Sequence, residues 1–204
     1  MDEKKLIEGL RRQLGYLYTL DFYHKKMDKA GIVPRDILSL KDFESIPFTT
    51  HEEFVKEMDR NNPSYGSFFP PDVVRINFTP SGDHLLPIFH TANDLEFMHH
   101  VCHRSLEAAG VTRNDTCAVT FGYHLFIAGL FYQGQLETYG AKVIPLGPGE
   151  TSKAVDIINR HNVTVLVANP SFALKLASSG MNRNRIRILF AGGEPLTSVP
   201  GYKD

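Results

Sequence analysis

A hydroxyl-rich segment, Thr79-Pro80-Ser81-Gly82-Asp83-His84, stands between two apolar stretches. Thr, Ser and Gly following a strand can hold phosphate, because hydroxyls and free backbone N–H groups aim several donors at one anion. The same composition also makes an ordinary β-turn. Three further groups follow apolar runs: Tyr123-His124, Asn169-Pro170-Ser171 and Gly192-Gly193-Glu194. His99 and His103 are one helical turn apart, a spacing that suits a pair of metal ligands. No third ligand stands at useful spacing, and Glu96, Arg104 and Glu107 make a polar helix face the competing reading.

These residues need elements to position them. Val73-Val74-Arg75-Ile76-Asn77-Phe78 and Pro87-Ile88-Phe89-His90-Thr91 read as strands on either side of the hydroxyl-rich loop. Upstream, residues 2–30 carry helical spacing, with Leu6, Leu10, Leu14 and Leu17 on one side and Gly31 as a stop. Ser39 is placed to cap a short helix through Phe43, and Thr50 with Glu53 forms a capping box for another. Residues 61–71, rich in Pro, Gly and Asn, mark the expected boundary between a helical N-terminal segment, 1–70, and a second domain, 71–204.

Beyond that boundary the rhythm alternates. Thr91 caps an expected helix over 92–109 with a stripe of Leu95, Met98, Cys102, Leu106 and Ala109. Strand patterns follow at 116–120, 142–145, 164–168 and 185–190, with helices at 127–139 and 151–161 between them. Asn169 is placed to cap a further helix, with Pro170 in its first turn. This order predicts an α/β fold: three layers, a mainly parallel sheet flanked by helices, preceded by a helical lead-in. Ligands of such sheets gather beyond the carboxyl ends of the strands. Tyr123-His124, Asn169 and Gly192-Gly193 are therefore expected on one rim, although glycines after strands also simply make turns.

Composition narrows the partners. The 204 residues contain 42% hydrophobic residues, enough for a substantial core, and a net charge of −1 that points to neither nucleic acid nor an anionic membrane. No apolar run approaches ~18 residues, so no membrane span is expected. The N-terminus lacks the apolar centre of a signal peptide. Two cysteines, Cys102 and Cys117, with no CxxC pattern fit a reduced cytoplasmic setting.

Taken with its flanks, the loop resembles that of the phenylacetate–CoA ligase family of adenylate-forming enzymes, which runs Thr-Ser-Ser-Gly-Thr-Thr-Gly-Lys-Pro. Thr79, Ser81, Gly82 and Pro87 fit; Asp83, His84, Leu85 and Leu86 replace two threonines, a glycine and the lysine. Residues 22–54 resemble the family's N-terminal segment and residues 90–110 its following helix. Residues 122–129 resemble its acyl-pocket phrase, and Ala191-Gly192-Gly193-Glu194-Pro195-Leu196 its adenine-side phrase. The resemblance spans nearly the whole chain, in order.

It implies a partial adenylate-forming domain and an AMP-forming acyl- or aryl-CoA ligase. In that family a carboxylic acid reacts with ATP, Mg²⁺ assisting, to give an acyl-adenylate, and coenzyme A then displaces AMP. Carried over, Thr79, Ser81 and Gly82 touch phosphate and Gly192, Gly193, Glu194 and Pro195 the adenine side, while Tyr123, His124 and Phe126 line the acyl pocket. Each has a plainer reading: core aromatics, a rim histidine bonded to a carbonyl, and for Glu194 a helix-start carboxylate. Asp83 sets a negative charge where phosphate would sit. Two unit charges ~4 Å apart repel by about 4 kcal/mol at an effective dielectric of 20. The later Tyr-Gly-x-Thr-Glu phrase and the mobile C-terminal domain have no counterpart in the 204 residues. The expectation is an N-terminal ligase region, weak or inactive alone. The alternatives are a non-catalytic nucleotide- or acyl-binding domain, or one subunit of a split ligase, with self-association or a second subunit as partner.

Overall fold

The computed structural model describes residues 2–60 and 71–196. The expected boundary stretch, residues 61–71, lies outside them except for its last residue. The described residues form two compact units, one up to Val74 and one from Arg75 onward.

The first unit is helical: α1 Glu3–Leu17, α2 Asp21–Lys29, α3 Leu40–Phe43 and α4 His51–Arg60. The expected continuous helical spacing over 2–30 is broken at residues 18–20, so two helices form where one periodicity was read. Leu14, Met27, Ile32 and Ile37 make the core, joined by Leu17, Tyr18, Tyr23 and Ile46. The expected capping box at Thr50 is present, and the expected cap at Ser39 forms a second one. Ser39 Oγ accepts the Asp42 N–H while Asp42 takes the Ser39 N–H. Thr50 Oγ1 accepts the Glu53 N–H while Glu53 takes the Thr50 N–H.

A hairpin, β1 Val73–Ser81 and β2 His84–Thr91, falls in the second unit from Arg75 onward. There follow α5 Ala92–Val101, α6 His103–Ala108, β3 Thr116–Val119, α7 Ala128–Tyr139, β4 Lys142–Pro145, α8 Thr151–Arg160, β5 Val165–Ala168, α9 Pro170–Ser178 and β6 Ile188–Ala191. The four later strands form a parallel sheet in the order β4-β3-β5-β6. The single helix expected over 92–109 is interrupted at Cys102, and only Leu106 of its far stripe is buried; Ala109 faces solvent. β6 starts three residues later than read, because residues 183–185 coil into a short 3₁₀ turn.

Side chains of the two central strands are buried on both faces and alternate between them, which divides the core in two. Cys117, Val119, Val165 and Val167 join Leu106, Val111 and Leu136 beneath α6 and α7. Ala118, Leu166 and Ala168 join Ala154, Val155, Ile158 and Leu176 from α8 and α9. Covered on both sides, β5 has no polar face, which is why Val-Leu-Val-Ala reads as an unbroken apolar run. The three-layer α/β fold follows from this packing.

A charge is buried at the amino ends of the strands. Asp115 is 4% exposed. Its carboxylate accepts from the Thr112 N–H (2.7 Å) and hydroxyl (2.9 Å), from the Thr164 hydroxyl (2.6 Å), and from Arg187 Nη2 (2.8 and 2.9 Å). Burial alone would raise its pKa. The Thr164, Arg187 and Thr112 hydrogen bonds together outweigh that and hold it at about 2. No helix among the described residues is long and apolar enough to cross a membrane.

Candidate functional site

Because β3, β4, β5 and β6 are parallel, their carboxyl ends share one rim. Backbone bonds carry the sheet a step past each strand. Thr120 donates both its N–H and its hydroxyl to the Val167 carbonyl (2.9 and 3.0 Å), Gly147 donates to Val119, and Gly192 to Ala168. The next residues therefore leave the rim side by side: Phe121 after β3, Asn169 after β5, Gly192-Gly193 after β6.

Gly193 holds φ +80°, and a Cβ there would stand 2.7 Å from Asn169 Nδ2 and 3.6 Å from the Phe121 ring. Both the left-handed backbone and the close approach require glycine. Phe121 also lies 4.0 Å from where a Gly192 Cβ would be, and it stacks on Tyr132 of α7 with ring centroids 5.7 Å apart. Asn169 was expected on this rim, whereas Phe121 was not among the residues read from the sequence. An aromatic directly after a strand's last ladder residue was the available signal.

Glu194 has a partner in this structure. Its carboxylate accepts the Ser171 N–H at 2.9 Å and the Ser171 hydroxyl at 2.7 Å. Asn169, placed as the cap of α9, makes no side-chain capping bond. The carboxylate of Glu194, 23 residues away in sequence from Ser171, satisfies the helix start instead and ties the Gly192-Gly193 turn to α9. The hydrogen bonds from Ser171 side chain and backbone hold the Glu194 carboxyl below its ordinary value. Its negative form, and the tie it makes, therefore persist above the usual carboxylate range and fade as pH falls through the lowered pKa. In an NMR titration the Glu194 carboxyl is expected to titrate below the ordinary glutamate value. Glu194→Gln should speed exchange of the Ser171 amide, and unchanged exchange would remove the cap assignment.

The loop after β3 rests on α7. A Cβ on Gly129 would collide with the Gly122 carbonyl oxygen, so the two glycines let helix and loop touch backbone to backbone. Tyr123 packs against the core beneath α7, and its buried hydroxyl has no hydrogen-bond partner among the described residues. Burial, with the Glu137 charge second, pushes that phenol up to about 12. His124 and Phe126 are exposed and meet edge to face, centroids 6.4 Å apart. The three predicted acyl-side residues thus divide between core and surface.

The segment read as an open loop, Thr79–His84, is tighter than expected. β1 continues through Ser81 and β2 resumes at His84, so only Gly82 and Asp83 form the turn, with Gly82 at φ +58°. Two-residue connections of this kind join antiparallel strands. Thr79 and Gly82 are exposed. The hairpin hangs from the Tyr123 loop: the Phe78 N–H (2.9 Å) and Asn77 Nδ2 (3.3 Å) both donate to the Leu125 carbonyl. Asn77 is 4% exposed, and its Oδ1 has no partner among the described residues.

His99 and His103 do not converge on a metal. The His99 ring lies against Gly134 of α7, and His103 Nε2 meets the Thr138 hydroxyl at 3.1 Å. No cluster of three or more His, Cys, Asp or Glu fit to hold a metal occurs among the described residues.

No family model matches the chain. Curated proteins do. The chain is 32% identical over 202 residues to a phenylacetate-coenzyme A ligase of Pseudomonas putida, covering 94% of this chain and 45% of that protein. It is 32% identical over 203 residues to that of Thermus thermophilus (94% and 44%), and 34% identical over 174 residues to that of Escherichia coli (83% and 38%). The chain thus spans about half the length of the first two of these relatives. Among solved structures, a 2-hydroxyisobutyryl-CoA ligase in an open conformation, in complex with 2-HIB-AMP and CoA, shares the fold with a TM-score of 0.84 at 24% identity, covering 99% of this chain and 50% of that one.

Proposed function

We propose, from the premise that this chain belongs as a partial match to the phenylacetate–coenzyme A ligase family, that it is the N-terminal region of an AMP-forming acyl- or aryl-coenzyme A ligase. In the whole assembly it would serve the activation of a small carboxylic acid through an acyl-adenylate. The observation that carries this reading is the rim, where parallel strands deliver Phe121, Asn169 and Gly192-Gly193 to one place. A planar base suits such a place, next to a flat ring and two residues without side chains. Gly192, Gly193 and Pro195 would hold the base side, with Glu194 fixing their turn. His124, Phe126 and the ring of Tyr123 would border the acyl group. The ligands of the 2-hydroxyisobutyryl-CoA ligase support an acyl-adenylate and coenzyme A as the ligand classes.

The phosphate side fits less well. Thr79, Ser81 and Gly82 remain as donors, but Asp83 occupies the turn and Leu86 stands where the family has lysine. A two-residue turn also leaves no arc of backbone N–H groups to surround a triphosphate. Charge stabilisation of phosphoryl transfer needs positive charge, and the Gly82-Asp83 turn brings a negative one instead. These features favour a second reading, a non-catalytic binding domain or one subunit of a split ligase.

Incubated with ATP, Mg²⁺ and aryl or fatty acids, the protein alone is expected to release no pyrophosphate above background; brisk release would overturn the assignment of the hairpin. Calorimetry with AMP is expected to show saturable binding that Phe121→Ala weakens. No AMP binding at all would overturn the nucleotide reading of the rim.

A further inference from the structure

The helical unit holds a cavity that the rim leaves unused. Leu10, Leu14 and Leu17 recur at spacings of four and three along α1, and they line it together with Met27 of α2, Phe43 and Ile46. Packing leaves a gap of about 230 Å³ between them. Leu14 and Met27 are 5% and 3% exposed, so part of its wall is the core of the unit. A dry apolar cavity of about 150 Å³ already takes benzene. This one has room for an aromatic ring with a short side chain. Its lining residues all belong to the first unit, so the cavity is formed within that unit.

One charge stands in this apolar wall. Lys26 is the only charged residue lining the cavity among the described residues, and its side chain is 14% exposed. A lysine on a helix surface ordinarily carries its ammonium out to water. This one is held back: Nζ lies 2.6 Å from Glu53 Oε2 and 5.7 Å from the centroid of the Phe22 ring. An ammonium has three donors, and Glu53 is its only oxygen partner among the described residues. Glu53 is 47% exposed and also accepts the Thr50 N–H at 2.8 Å, so it keeps partners when a second carboxylate reaches the ammonium. Charge and shape together select the occupant. A neutral apolar molecule would leave the spare donors of the ammonium unmet, and a doubly charged one would press a second anion against apolar walls. We propose that this cavity binds a small apolar monocarboxylic acid, its body among Leu10, Leu14, Leu17 and Met27 and its carboxylate on Lys26 Nζ. These residues are not those of the acyl side of the rim, and no nucleotide takes part, so the proposal does not rest on the ligase reading.

Hydrocinnamate and its neutral amide test it, each titrated into the full chain without ATP or coenzyme A and followed by the methyl signals of Leu14, Leu17 and Met27 in NMR. The acid is expected to shift these signals saturably, with half-saturation below about 1 mM. The amide should bind roughly tenfold more weakly or worse, because a charge-assisted hydrogen bond is lost. Lys26→Met keeps the aliphatic stem and should lower acid affinity by a similar factor while leaving that of the amide unchanged. Leu10→Trp fills the cavity and should abolish binding of both, with the circular dichroism of each variant matching the parent. Acid and amide binding alike would overturn the proposal without need of any variant. So would acid affinity that survives Lys26→Met, or no binding of the acid at all. Shifts confined to Tyr123 and His124 would overturn it by placing the acid at the rim instead. A failed AMP titration leaves each of these outcomes unaffected.

Discussion

Asp115→Ala is expected to cost about 3 kcal/mol of unfolding free energy, the lower end of the range for breaking a buried ion pair. The lower end applies because Arg187 is half exposed and recovers water when its partner is lost. What remains without an acceptor is the Thr112 N–H and two hydroxyls at the roots of β3 and β5. The pH dependence gives a second readout. Asp115 has a pKa of about 2 in the fold, against roughly 3.9 in an unfolded chain. A depressed carboxyl stabilises the folded form fully above the unfolded value, and the contribution, about 2.5 kcal/mol, is lost as pH falls from ~4 through ~2. Urea unfolding of the parent should therefore lose stability over that window more steeply than Asp115→Ala. Equal midpoints at neutral pH, or parallel pH profiles, would sink the assignment of this carboxylate as the tie between β3, β5 and β6.

Gly129→Val is expected to cost about 2–3 kcal/mol, because any Cβ at this point of α7 meets the backbone carbonyl of Gly122, which cannot rotate away as a side chain would. The effect should spread along the loop: Tyr123, His124 and the Leu125 carbonyl that holds the hairpin all follow Gly122. Exchange of the Phe78 amide, bonded to Leu125, reports this directly. Gly9→Ala in α1 is the contrasting case. Nothing stands within 4 Å of a Cβ there, so it should stabilise by about 0.5–1 kcal/mol through helix propensity. If Gly129→Val is as harmless as Gly9→Ala, the loop does not rest on α7 in this way.

Sequence alone determined whatever depends on neighbours a few residues apart. The caps read at Ser39 and Thr91 and the capping box read at Thr50 all formed, each with a carboxylate three positions on. The apolar run of β5, the inward set Ala154, Val155 and Ile158 of α8, and Gly140 closing α7 in a left-handed conformation were likewise local facts. With the alternation of strands and helices they set the α/β class and the expectation of one shared rim after the strands.

Only the tertiary structure decided which partners those residues have. Glu194 caps a helix that starts 23 residues earlier, where Asn169 had the better local claim. Asp115 binds Thr164 and Arg187 across 49 and 72 residues. Tyr123 turned into the core while His124 and Phe126 faced out, and Thr79–His84 closed to a two-residue turn because strand pairing ran to its limit. The physical reason is one of range. Caps, periodicity and glycine backbone freedom act within a turn or two of chain, whereas the partner of a buried charge or a rim side chain is set by how sheet and helices pack.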